Sequence, residues 1–185
     1  MRRFQILAIL IACLLVPLNA GAVHEREHRL DALFDLLKEA QTVADAQTIE
    51  VEIWKLWTVT GESELDSAMY SGIAAMRRGN LQRALNLFDQ LTVDAPQFAE
   101  AWNKRATIHY MLGNHDASIA DIMQTLTLEP RHFAALSGLG MIFANTGREE
   151  AALRAFERAL KIHPHLPGAK AFKNSIKRQI DAHRI

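Results

Sequence analysis

The sequence predicts an all-helical chain folded as a right-handed solenoid of helix-turn-helix units, with a divergent helical pair at its N-terminal end and a capping helix at its C-terminal end. Three observations predict it. Gly79, Gly113 and Gly147 are spaced 34 residues apart, and Pro96, Pro130 and Pro164 keep the same interval. Between them, apolar residues recur at the helical period and do not alternate as they would in strands. With units starting at Leu65, the eighth positions are Gly72, Ala106 and Gly140 and the twentieth are Ala84, Ser118 and Ala152, all small. Small residues on both helices of a hairpin let the backbones approach closely, and Phe88, Ile122 and Phe156 at position 24 supply the bulk beside that contact. A fixed period of this length is the mark of a stack in which each unit buries the apolar face of its neighbour.

In chain order, residues 1–22 (MRRFQILAILIACLLVPLNAGA) have a basic start, an uncharged apolar run from Phe4 to Leu18, and the small residues Ala20, Gly21 and Ala22. This is the pattern of a secretory signal peptide cleaved between Ala22 and Val23, which places the mature protein in the periplasm. Two other outcomes would leave it membrane-anchored facing the periplasm. One is lipidation at Cys13, which follows Leu10, Ile11 and Ala12; the other is an uncleaved anchor, although the run is shorter than the roughly 20 residues a spanning helix needs.

Residues 23–64 read as a divergent helical pair. Leu30, Leu33, Phe34 and Leu37 share one face, as do Ile49, Ile53, Leu56 and Trp57. Extending the register back to residue 31 puts Phe34, Leu37, Trp54 and Trp57 at apolar positions but Lys38 and Glu50 at the small sites, which prevents regular packing. The units proper are 65–98, 99–132 and 133–166. Glycine at position 15 takes the left-handed conformation that ends the first helix, Asn80 and Asn114 are placed to cap the second, and proline at position 32 loses no N–H at a helix start. Residues 168–183, within the terminal segment 167–185, form an amphipathic capping helix with Ala171, Ile176 and Ile180 among its apolar positions.

These residues resemble the tetratricopeptide repeat, a 34-residue pair of antiparallel helices with small, aromatic and proline positions at set places. Trp102 stands at the family's tryptophan position, and the resemblance covers residues 65–166. Departures are local: Ser71 and Arg105 replace the leucine of position 7, His109 the aromatic of position 11, and Thr125 the alanine of position 27. The resemblance implies a non-catalytic scaffold that holds a polypeptide or protein partner in a concave groove, with no cofactor.

Composition narrows the alternatives. The chain carries 21 Lys+Arg against 21 Asp+Glu, which does not suggest a nucleic-acid partner. The charge is lopsided: residues 25–66 are acidic, whereas Lys170, Lys173, Lys177 and Arg178 make the last helix basic, a surface suited to anionic lipid or an acidic partner. Cys13 is the only cysteine and is lost with the signal, so thiolate chemistry is excluded from a mature chain. His24 and His28, four residues apart, lack a third ligand, and no metal site is expected. His115, Asp116 and Ser118 hold the residue types of a hydrolytic triad, but Ser118 falls at the enclosed small site and the other two at an exposed helix start.

The resemblance places positions 2, 5, 6, 9, 12 and 13 of each first helix on the groove wall. The expected partner-binding residues are Met69, Tyr70, Ile73 and Arg77 in the first unit, Asn103, Lys104, Thr107, Tyr110 and Met111 in the second, and Ser137, Met141 and Asn145 in the third. Methionine and tyrosine adapt well to binding surfaces. The basic residues with which some family members clamp a C-terminal carboxylate are mostly missing, so a mixed apolar and polar segment is the expected ligand, with Lys104 and Asn103 as the polar centre.

Overall fold

The structure is a computed structural model that describes residues 20–183. Its described residues form nine helices: α1 (Ala20–Glu39), α2 (Val43–Thr58), α3 (Ser63–Arg77), α4 (Leu81–Asp94), α5 (Ala99–Met111), α6 (His115–Leu128), α7 (Phe133–Asn145), α8 (Glu149–Ile162) and α9 (Ala169–His183). No strand is present among them. The apolar run expected to be a signal, with Cys13, lies outside the described residues; the expected junction Ala22–Val23 lies in the first turn of α1. Among the described residues no helix is long and apolar enough to cross a membrane.

Helices α3 to α8 are three hairpins, each turning at a glycine with positive φ: 73° at Gly79, 79° at Gly113 and 70° at Gly147. Within each hairpin the small positions do what the sequence required. A β-carbon on Gly72 would lie 2.6 Å from the Phe88 ring, and one on Gly140 would lie 2.9 Å from Phe156. The middle unit reaches the same fit by pairing Ala106 with the smaller Ile122, both buried. Asn80 caps α4 by accepting from the Arg83 amide, but Asn114 makes no side-chain cap on α6, contrary to expectation. Arg105, in place of the usual leucine, binds both carboxylate oxygens of Asp121 at 2.8 Å and reaches Asp89 and Thr92 on α4, so a polar clip joins units 1 and 2.

The helical pair α1–α2 lies elsewhere than the end of the stack, where the extended register would put it. α2 packs against α5, and α1 against α8. The apolar interior divides accordingly. Met69, Phe88, Leu91, Phe98 and Ile108 form one cluster around unit 1. Phe34, Leu37, Ile53 and Trp57 instead belong to the cluster of units 2 and 3 and α9. The hairpin folds back along the turns that join one unit to the next, because Lys38 and Glu50 bar it from stacking as a repeat. α9 closes the other end through Ala169, Ile176 and Ile180, while Ala171 is exposed.

Candidate functional site

Between α5 and α7 the expected groove wall opens into a hollow of about 380 Å³. Buried Ala106, Ser118, Ile122 and Ile142 lie at its floor, with half-buried Thr107, Tyr110, Ser137 and Met141 around them. It exists because residues of unusually small volume meet there. Position 6 is Tyr70 in unit 1 and Lys104 in unit 2 but Gly138 in unit 3. A β-carbon on Gly138 would meet only Ile122 Cδ1, at 3.7 Å, an ordinary contact. Unlike Gly72 and Gly140, this glycine answers to no packing demand inside the chain.

Among the described residues lining the hollow, none is charged. Most of its polar groups are committed internally. Ser118 Oγ donates to the Ala106 carbonyl at 2.8 Å, Thr107 Oγ1 to the Asn103 carbonyl at 2.9 Å, and Asn145 Nδ2 to Tyr110 Oη at 2.8 Å.

Six of the twelve expected binding residues line this hollow: Asn103, Thr107, Tyr110, Met111, Ser137 and Met141. Asn145 holds the Tyr110 hydroxyl at its edge. Tyr70 and Arg77 are exposed and Ile73 half-buried on α3, away from the hollow. Met69 is fully buried in the unit 1 core and offers no wall surface.

Lys104 and Asn103 do not form a free polar centre, because a buried carboxylate holds both. Glu100 is 1 % exposed. Lys104 Nζ lies 2.8 Å from its Oε1, off hydrogen-bond alignment, so the contact is one of charge. Asn103 Nδ2 donates to Oε2 at 2.9 Å, and His132 Nε2 lies at the same distance from that oxygen. His132 Nδ1 accepts the Ala135 amide at 3.1 Å and so caps α7, which puts the ring proton on Nε2, donating to Glu100. Burial alone would push the Glu100 carboxyl up; Lys104 and His132 outweigh it and hold it below the ordinary glutamate value.

This buried centre is where the N-terminal hairpin attaches. Trp57 stacks on the His132 ring at 4.0 Å and 7°, Trp54 meets it edge-on at 5.8 Å, and the Lys104 ammonium sits 4.9 Å above the Trp54 ring. A second fully buried histidine, His163, places Nε2 3.2 Å from Glu50, whose other oxygen accepts Trp54 Nε1 at 3.0 Å. The contact with His163, which has the larger effect, and that with Trp54 hold the Glu50 carboxyl below its ordinary value against the upward push of burial. His165 Nε2 donates to the Ala40 carbonyl at 2.9 Å, and Arg131 pairs with Asp31 at 2.6 Å.

These anchors escaped the sequence reading, although one signal was visible. Position 34 is Phe98, His132 and Leu166 in the three units. A histidine in an otherwise apolar slot requires a buried partner.

The other candidate residues are divided between core and surface. Ser118 is buried and spends its hydroxyl on Ala106, and the His115 ring lies 5.7 Å from Tyr110. His109 is half-buried, 3.9 Å from Asp121. His24 and His28 are both exposed on α1.

Comparison with known proteins agrees with this architecture. The tetratricopeptide repeat family matches residues 71–127 and again residues 133–166. A TPR repeat-containing protein of Rhizobium etli is 37% identical over 138 residues, which are 75% of this chain and 68% of that protein. Among solved structures, the Sgt2 TPR domain from Aspergillus fumigatus superposes with a TM-score of 0.63 at 24% identity, covering 67% of this chain and 84% of that one. The first TPR of Spaghetti (RPAP3), bound to the HSP90 peptide SRMEEVD, gives 0.62 at 17% identity, covering 64% and 94%.

Proposed function

The chain belongs to the tetratricopeptide repeat family, and on that premise we propose that it is an exported, non-catalytic scaffold that binds a polypeptide segment at the hollow between α5 and α7. The observation that carries this reading is the hollow itself. It gathers Tyr110, Met111 and Met141 around an opening that the chain's own side chains do not fill. Fold neighbours that hold peptides, such as the Spaghetti domain with its HSP90 peptide, support a polypeptide as the ligand class. Aromatic and methionine side chains beside a concavity are typical interface anchors.

A photoreactive residue at Tyr110, activated in living cells, is expected to yield an adduct whose partner fragment can be sequenced. Tyr110→Ala is expected to weaken binding of that fragment roughly thirtyfold, as loss of an anchor worth about 2 kcal/mol would. Normal binding by a folded Tyr110→Ala protein would refute the assignment. Lys104→Ala is a poor probe, since it leaves Glu100 buried without its cation.

The basic start, apolar core and Ala20–Gly21–Ala22 of the first 22 residues support export to the periplasm. Fractionated cells are then expected to contain a soluble species beginning at Val23. A detergent-soluble species carrying fatty acid on Cys13 would instead make the protein a membrane-tethered assembly factor of the cell envelope. The basic outer face of α9, with Lys170, Lys177 and Arg178 exposed, supports membrane contact as a secondary property.

A further inference from the structure

The hollow says more about its ligand than that it is a polypeptide. We propose that it is a socket for one large apolar side chain, such as leucine, methionine or phenylalanine, presented by an uncharged stretch of the partner, with Gly138 setting its depth. The inference rests on the polypeptide reading above and narrows it.

Three observations carry it. The first is electrostatic. Among the described residues no charged side chain lines the hollow. Lys104, the cation on the same face of α5, is neutralised by Glu100 and covered by Trp54. A ligand carboxylate or ammonium would lose its hydration there and gain no opposite charge, which disfavours it.

The second concerns the polar groups. The hydroxyls of Ser118 and Thr107 donate to carbonyls of their own chain. The floor between them, Ile122 and Ile142, is aliphatic. Such a surface rewards apolar volume and little else.

The third is Gly138. Glycine is less favourable than alanine inside a helix, and here an alanine β-carbon would fit without displacing anything. The stack would gain stability from a larger residue at this position, so the glycine serves the opening and not the fold. At about 380 Å³ the space takes one such side chain together with part of the backbone that presents it, and the Glu100, His132 and Trp54 assembly lies beyond Asn103.

Toluene, the side-chain analogue of phenylalanine, and acetate and methylammonium, which carry the charged ends of the aspartate and lysine side chains, provide the test with the isotope-labelled chain. Toluene is expected to shift the methyl resonances of Ile122, Ile142 and Met141, and acetate and methylammonium to leave them unmoved. Gly138→Leu is expected to abolish the toluene shifts while keeping or raising the melting temperature, with Ser137→Leu as a second filling variant should the first not fold. Peptides selected from a random dodecamer library on the native chain are expected to share a large apolar residue in an uncharged context and to bind Gly138→Leu at least tenfold more weakly. Toluene shifts absent or scattered over the surface would overturn the socket. So would selected peptides that depend on a charged terminus and bind Gly138→Leu normally, although the polypeptide reading would then stand. Toluene shifts with no peptide selected would defeat the polypeptide reading and leave a site for small apolar molecules.

Discussion

The three repeats and the N-terminal hairpin are built from the same kind of helix pair, but they find their partners by different rules. Within a repeat the two helices close on each other through small residues that admit a large ring, Gly72 under Phe88 and Gly140 under Phe156, and each repeat then packs on its neighbour in sequence, α4 on α5 and α6 on α7. The hairpin passes over its neighbour, unit 1, and joins units 2 and 3 through histidine, glutamate and tryptophan. The difference lies in what occupies the two small sites. Alanine, serine or glycine there makes a stackable unit; Lys38 and Glu50 make a hairpin that must be held by specific polar contacts. Stacking is generic and tolerates repetition, whereas the hairpin's site is defined once, by residues that occur at one place in the chain. One consequence is that unit 1, closest to the hairpin in sequence, keeps a separate apolar cluster.

The contrast can be broken most severely at Trp57, 3 % exposed and stacked on His132. Trp57→Ala is expected to cost about 4 kcal/mol, as large-to-small changes of buried aromatics do. Amide exchange should show the loss in α1, α2 and α7, with α3 and α4 protected as before; equal loss everywhere would mean that the two regions are one cooperative unit. The reciprocal change is Gly72→Ala, which drives a β-carbon into the Phe88 ring. About 2 kcal/mol is expected from the overpacking, felt in α3 and α4 while the hairpin keeps its protection.

Acid should separate the regions more gently. Glu50 and Glu100, both contacts of the hairpin's anchoring histidines, are held below the ordinary glutamate value of 4.5. A carboxyl with a depressed pKa in the fold contributes stability that is fully present above its ordinary range and is lost as pH falls through the lowered value. Amides of α1 and α2 should therefore lose protection below about pH 4.5 before those of α3 and α4, and Glu50→Gln should flatten that acid limb. The smallest effect is expected at Arg29, which pairs with Glu52 on the hairpin surface and is 61% exposed. Arg29→Ala should change the melting free energy by no more than about 0.5 kcal/mol.

What the sequence made legible follows the same division. The 34-residue spacing foretold the hairpin turns and the close helix contacts, because those features depend on residue size at recurring positions, and the amphipathic pattern of residues 168–183 foretold α9. It also marked Lys38 and Glu50 as unfit for stacking. Where the hairpin would go instead was not legible, since His132, His163 and His165 bind groups 32 to 125 positions away in the chain. Of the expected groove residues, those on α5 and α7 do gather, whereas Met69 turns inward and Lys104 is spent on Glu100. Periodicity assigns a helix face; it does not reveal which groups on that face are already paired.

The placement of the hairpin is tested most directly by proton contacts of Trp54 in the folded chain. Nuclear Overhauser effects are expected from its indole to the Phe133 ring, whose centroid lies 6.1 Å away, and to His132. Contacts from Trp54 to Ala68 or Met76 of α3 in their place would put the hairpin on the end of the stack and contradict the fold-back.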